Sequence, residues 1–292
     1  MRQEEVVDMK IRTLFITMFL SILCAILAQS CVEAPKELKV KHRKIALHSY
    51  VYHKCATIED VIEQAQSLGA DAVVLSQTIK FKKYPDVKIS PNINDEQKAY
   101  LKKLFDDAKL EIASFGIGTG FKKPKDADKY FSFCKEMGIK IFSWEGNYKD
   151  LPSLNKKAAQ YGVKLAVHHH TASYNKENLY NTPEGMLMRI KDFDNVYALV
   201  DNGHWAREKT DQIRGYKTLN KKIIMLHFKD PKQIGALEKT DAPIGEGALN
   251  IPALLATLDS IGFDGYFVLE NECVFDNPTE AMKKSINYLR TH

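Results

Sequence analysis

Cysteine is scarce. The 292 residues hold five, and the three beyond the N-terminal segment, Cys55, Cys134 and Cys273, are widely scattered with no CxxC pair. That offers no disulfide framework, so each reads as a buried or unreactive thiol. A glycine-rich phosphate loop is also lacking: "FGIGTG" at 115–120 does not have GxGxxG spacing and no helical text follows it directly, so a plain turn is expected there. The first strand-to-helix turn has no glycine fingerprint either, which argues against a doubly wound open sheet. No Gly/Ser linker or low-complexity repeat divides the chain. Charge of one sign does not dominate: 42 Lys and Arg against 37 Asp and Glu give a net +5, with lysines interleaved among acids. Dispersed charge reads as a solvated surface and not as a nucleic-acid stripe.

Long apolar runs are missing apart from "LFITMFLSILCAILA", Leu14 to Ala28. It is too short and wrongly flanked for a spanning helix, and with Lys10 and Arg12 ahead of it matches an export signal. The run leads into "AQSC", which resembles a loose lipobox with Cys31 as an acylated N-terminus. Export is therefore expected, to the periplasm or to a membrane surface through a lipid on Cys31. Residues 1–31 are assigned to this segment, 32–43 to a polar tether and 44–292 to the folded domain.

What is present is alternation. Short β-rich runs occur at "KIALHS", "DAVVLS", "EIASFG", "IKIFSW", "VKLAVH", "VYALVD", "IIMLHF" and "YFVLEN", each followed by amphipathic or capped text. "TIED" at Thr57 is a capping-box pattern, and Thr182 precedes Pro183 as an N-cap. Gly69, Gly138, Gly162 and Gly262 fall where helices should end in a left-handed cap. Eight such units predict an α/β fold, a single (β/α)8 TIM barrel after the signal segment.

In such a barrel the chemistry collects at the strand C-termini. The residues there are His48, Ser76, the Gly116 region, Glu145, His168 with His170, Asp201 with His204, His227 with Lys229, and Glu270. His168 and His170 share a face because strand residues alternate. So many ionisable groups would be costly to bury unpaired, and a divalent metal accounts for them. Carboxylates mixed with imidazoles suit Mn, Co, Zn or Fe. Glu272 could replace Glu270.

The ordered motifs "YGVKLAVHHH", "VDNGHW", "LHFKD", "APIGEGALNIPALLATL" and "DGYFVLENE" closely resemble the sugar phosphate isomerase/epimerase superfamily of xylose-isomerase-like barrels, over essentially the whole chain past the signal. The resemblance implies one metal on Glu145, Asp201, His227 and Glu270. Its epimerases usually carry Glu where this chain has His168, and the triple-histidine version resembles inosose dehydratase and secreted lyases of 3-keto-glycosides. These relatives share removal of a proton beside a ketone by a base, followed by reprotonation or loss of a β leaving group.

The implied roles are as follows. His168 or His170 serves as the base, Lys229 binds a substrate oxygen, and Asp230 fixes Lys229 or caps its loop. His48, His204 and Trp205 contact the sugar, with a packing role as the alternative for Trp205. Export favours an unphosphorylated oxidised glycoside as substrate, hence a carbon–oxygen lyase, with an isomerase, epimerase or dehydratase as alternative. The partner is a small molecule and not nucleic acid, which sets aside the endonuclease branch; a non-catalytic sugar-binding lipoprotein is the reading from another class.

Overall fold

A computed structural model describes residues 41–118, 124–173, 180–236, 240–272 and 278–292. The signal segment, most of the tether, Cys31 and Cys273 lie outside them.

All eight β-rich runs form strands: β1 (Lys44–His48), β2 (Ala72–Leu75), β3 (Glu111–Gly118), β4 (Ile141–Trp144), β5 (Lys164–His168), β6 (Val196–Asp201), β7 (Ile223–Phe228) and β10 (Tyr266–Leu269). They pair in parallel around a closed barrel, with β1 bonded to both β2 and β10. The expected TIM barrel is found.

Strand alternation divides the apolar side chains into two sets. Leu47, Val73, Phe142, Val167, Val200, Leu226 and Leu269 point outward into the layer under the helices. Ala46, Val74, Ala113, Ile141, Ala166, Leu199, Met225 and Val268 fill the barrel interior. Burying each of the larger aliphatic side chains stabilises the fold by about 1.5–3 kcal/mol. The inward parity continues past the interior layer: two residues after Ala166 comes His168, after Met225 His227, after Leu199 Asp201, after Val268 Glu270 and after Ala46 His48. The site is thus the polar continuation of the interior core.

Local signals hold the frame. Thr57 and Asp60 make the reciprocal capping box, and the Thr182 side chain accepts from the Gly185 N–H ahead of a helix with Pro183 in its first turn. Gly69 and Gly162 end their helices at φ 71° and 67°, a left-handed conformation that L side chains adopt at a cost; Gly138 and Gly262 take the same conformation. The phosphate-loop lookalike departs from the expected turn. Phe115 to Gly118 extend β3, with Gly116 at φ 106° where the pairing to β4 skips register, and the remaining two residues of that motif lie outside the described ones.

The loop after β7 carries a small antiparallel ribbon, β8 (Asp230–Pro231) with β9 (Asp241–Ala242). At the opposite end of the barrel, buried Arg43 grips Asp259 through two bonds of 2.8 and 3.0 Å.

Candidate active site

Asp201 ends β6 fully buried, and its Oδ2 is a hub. His168 Nε2, His204 Nε2 and His227 Nδ1 each stand 3.6 Å from it, and Lys229 Nζ stands at 2.9 Å. Its other oxygen accepts the His204 N–H at 3.0 Å, capping the short helix Asn202–Arg207. Burial alone would raise this carboxyl; His204, Lys229, His168 and His227 outweigh it and hold Asp201 well below the usual carboxylate range.

Glu270 follows β10, the strand bonded to β7 on the side away from β6, and stands 2.9 Å from His227 Nδ1 and 2.9 Å from Lys229 Nζ. Although burial opposes ionisation here too, His227, Lys229 and His48 keep it ionised well below the normal range. His48 Nε2 is 3.7 Å from Glu270, while its Nδ1 accepts the Tyr50 N–H at 3.1 Å. Burial pushes His48 down to about 3.

Glu145 sits immediately after β4 and pairs with the histidines of β5. Its Oε1 is 2.8 Å from His170 Nδ1, and its Oε2 is 3.4 Å from His168 Nδ1. Burial raises this carboxyl, but the two imidazoles bring it down to about 2. His168 is lowered by burial and then lifted past that by Asp201 and Glu145, to about 9. His170 keeps a quarter of its side chain exposed, whereas His168 is buried. The shared face expected for these two rings is therefore present, and Glu145 spans them.

Among the described residues, three sets of side chains place ligand atoms within 4.8 Å of one another: Glu145, His168 and His170; His168, Asp201 and His204; and Asp201, His227 and Glu270. The structure brings Asp201, His227 and Glu270 together, and places Glu145 with the β5 histidines. A cation fits the set of Asp201, His227 and Glu270. Nε2 of fully buried His227 lacks a hydrogen-bond partner among the described residues, as does His168 Nε2. Buried imidazole nitrogens facing two ionised carboxylates form a donor set suited to a divalent transition metal.

Lys229 and Trp205 both have close partners within the protein. Lys229 is fully buried and directs its three donors at Asp201, Glu270 and, at 3.1 Å, Glu272. Its ammonium has no donor left for a substrate oxygen; these carboxylates overcome burial and raise it well above its ordinary value. Trp205, 1% exposed, lies in the packing layer, stacked on His169 at 5.5 Å and tilted against Tyr216 at 5.6 Å. It supports the site from behind, which is the packing role. Asp230 has the loop-capping role: it accepts the N–H groups of Gly245, Gly247 and Leu249, and a Cβ at Gly247 would collide with its carboxylate.

Apart from Glu272, the following residues were not given roles from the sequence. His169 points to the opposite side from its neighbours and accepts the Asp201 N–H on Nε2 at 3.1 Å. Asn202 clamps the Lys229 backbone from both sides, at 2.7 and 2.9 Å, joining the ends of β6 and β7. Arg207, Asp241 and Glu272 form a buried charged group beside Lys229. Period-two alternation after "VH" could have marked His169; nothing local marks Asn202 or Arg207.

A family model for the xylose isomerase-like TIM barrel matches residues 62–292. Inosose dehydratase of Lacticaseibacillus casei is 26% identical over 163 residues, 50% of this chain and 53% of that protein. The rhizopine catabolism protein MocC of Rhizobium meliloti is 29% identical over 184 residues, 58% of this chain and 51% of that one. The chain spans about half the length of these curated relatives. Among solved structures, IolI with a zinc atom has a TM-score of 0.69 at 19% identity, covering 84% of this chain and 95% of that one. AsbF of Bacillus anthracis, involved in petrobactin synthesis, has a TM-score of 0.66 at 15% identity, covering 84% and 98%. Strand order, the inward polar rim and the match over 62–292 converge: the chain belongs to the xylose isomerase-like TIM barrel family.

Proposed function

We propose that this protein is a metal-dependent carbon–oxygen lyase that removes the proton next to a sugar ketone and expels the β substituent, with a 3-keto-glycoside as substrate. Asp201, His227 and Glu270 would hold one divalent ion, Mn, Co, Zn or Fe, the zinc of the IolI structure being one member of that set. When bound, the ion supplies Lewis-acid polarisation of the ketone oxygen.

The observation that carries the reading is the His170–Glu145 pair, partly exposed at the rim and adjacent to the buried trio. With Nδ1–H donated to the carboxylate, the basic lone pair of the His170 ring is the one on Nε2. That nitrogen takes the C2 proton, Glu145 stabilises the imidazolium formed, and the freed electron pair becomes the C1–C2 double bond as the C1–O bond breaks. The proton on His170 follows the departing oxygen, so the protein ends unchanged. His168, buried between Glu145 and Asp201, orients both carboxylates, while His48 and His204 meet the sugar. The inosose dehydratase likeness supports the same elimination with water as leaving group.

The export signal supports a location outside the cytoplasm, where glycosides and not sugar phosphates are available. A lipid on Cys31 would hold the protein at the membrane.

The test uses a 3-keto-glucoside with a chromophoric aglycone, in deuterated solvent with metal-loaded protein. Aglycone release with a 2-hydroxy-glycal product is expected. Exchange of the C2 proton without release would contradict elimination and point to an epimerase; absence of both, with metal bound, would contradict catalysis on this substrate class.

A further inference from the structure

Arg207 and His204 face each other across one helical turn. A guanidinium has donors only and stays protonated. Arg207 Nη1 lies 3.0 Å from His204 Nδ1, so that ring nitrogen must offer a lone pair. An imidazolium has none, and a neutral ring with a bare Nδ1 carries its proton on Nε2. That Nε2 is the atom turned toward Asp201 Oδ2 at 3.6 Å.

The guanidinium is itself held in place. It is buried, 3.7 Å from Glu272 and 4.0 Å from Asp241, and the Glu272 N–H donates to Asp241 at 3.1 Å. The His204 backbone is fixed by the Asp201 cap. Both ends of the contact are therefore anchored.

We propose that Arg207 is a positioning residue that locks His204 as the neutral Nε2–H tautomer, making it a hydrogen-bond donor to a substrate oxygen and barring it from the metal. A ligating Nε2 needs its own lone pair, which would move the ring proton to Nδ1 against a guanidinium N–H. Of the three side-chain sets able to hold an ion, the one containing His204 is thereby eliminated. The donor role toward substrate rests on the lyase reading; the tautomer and the exclusion from the metal do not.

The tautomer is read from long-range ¹H–¹⁵N correlation spectra of the metal-free protein near neutral pH, with the His204 signals assigned by their loss in His204→Gln. An unprotonated Nδ1 and a protonated Nε2 are expected. Arg207→Met should replace this pattern with a mixture of forms, and Arg207→Lys, which keeps a cationic donor, should restore it at least in part. Zinc titrated alone into His204→Gln should bind with wild-type stoichiometry. An Nδ1–H tautomer in the wild type, an unchanged pattern in Arg207→Met, or loss of zinc binding in His204→Gln would each overturn the proposal. The wild-type spectrum decides even where Arg207→Met does not fold. If the spectra and the zinc titration come out as expected while the keto-glucoside is untouched, the lyase reading fails alone.

Discussion

His170 Nδ1 stands 2.8 Å from Glu145 Oε1, and the same carboxylate reaches His168 with its other oxygen. One acid thus serves two imidazoles, one exposed to the cleft and one facing the buried hub at Asp201. In the proposed reaction, proton transfer and cation binding fall on neighbouring but separate groups, with His168 between them.

The first consequence concerns the trio. Asp201→Asn, His227→Gln and Glu270→Gln should each lose bound metal and activity while the far-ultraviolet circular dichroism stays native, because all three lie above the apolar interior layer. Metal analysis of the purified variants checks it; wild-type metal in any of the three would remove that residue from the ligand set.

Lys229 ties together carboxylates that would otherwise repel. Lys229→Met should destabilise the metal-free protein by on the order of 3–5 kcal/mol, as expected for removing one partner of a buried ionic group. Loading with zinc at 100 times its dissociation constant should return about 2.7 kcal/mol by mass action if the folded state alone binds it. Urea unfolding with and without metal measures both; equal stability of Lys229→Met and wild type without metal would show that the ammonium is not needed as counter-ion.

How much of this was legible in the sequence depends on what fixes each feature. Strand positions were legible because β-rich runs end in polar groups and glycines mark the helix caps; inward parity then gave His168, His170, Asp201, His227 and Glu270. Parity could not choose between Glu270 and Glu272, which share it; distance separates them, since Glu270 meets His227 whereas Glu272 meets Lys229 and Arg207. Glu145 shares the inward parity of Ile141, but parity does not say which rim groups a side chain meets, so its pairing with the β5 histidines was not legible. The sequence left Trp205 open between sugar contact and packing; the helix Asn202–Arg207 starts at once after β6 and turns the ring into the packing layer.

The Arg43–Asp259 pair gives a pH dependence away from the site. The Arg43 hydrogen bonds hold Asp259 below the usual aspartate range, so its contribution is fully present above the unfolded value and is lost as pH falls through the folded one. Asp259→Asn should cost about 1 kcal/mol near neutral pH, a figure kept small because the carboxylate is partly exposed. The difference from wild type should vanish in strong acid. A constant difference from neutral pH to strong acid would show that the loss is not electrostatic.

Cys31 is tested by fractionation. Cys31→Ser should move the protein from the membrane to the soluble fraction of the exporting cell. Unchanged membrane association would argue for an anchor other than a lipid on this cysteine.

The division of labour between His170 and the trio is tested most directly by measuring metal content and turnover on the same sample of His170→Gln. Wild-type metal with turnover lowered by on the order of 10²-fold or more is expected for loss of the general base. Loss of the metal, or undiminished turnover with the metal in place, would contradict it.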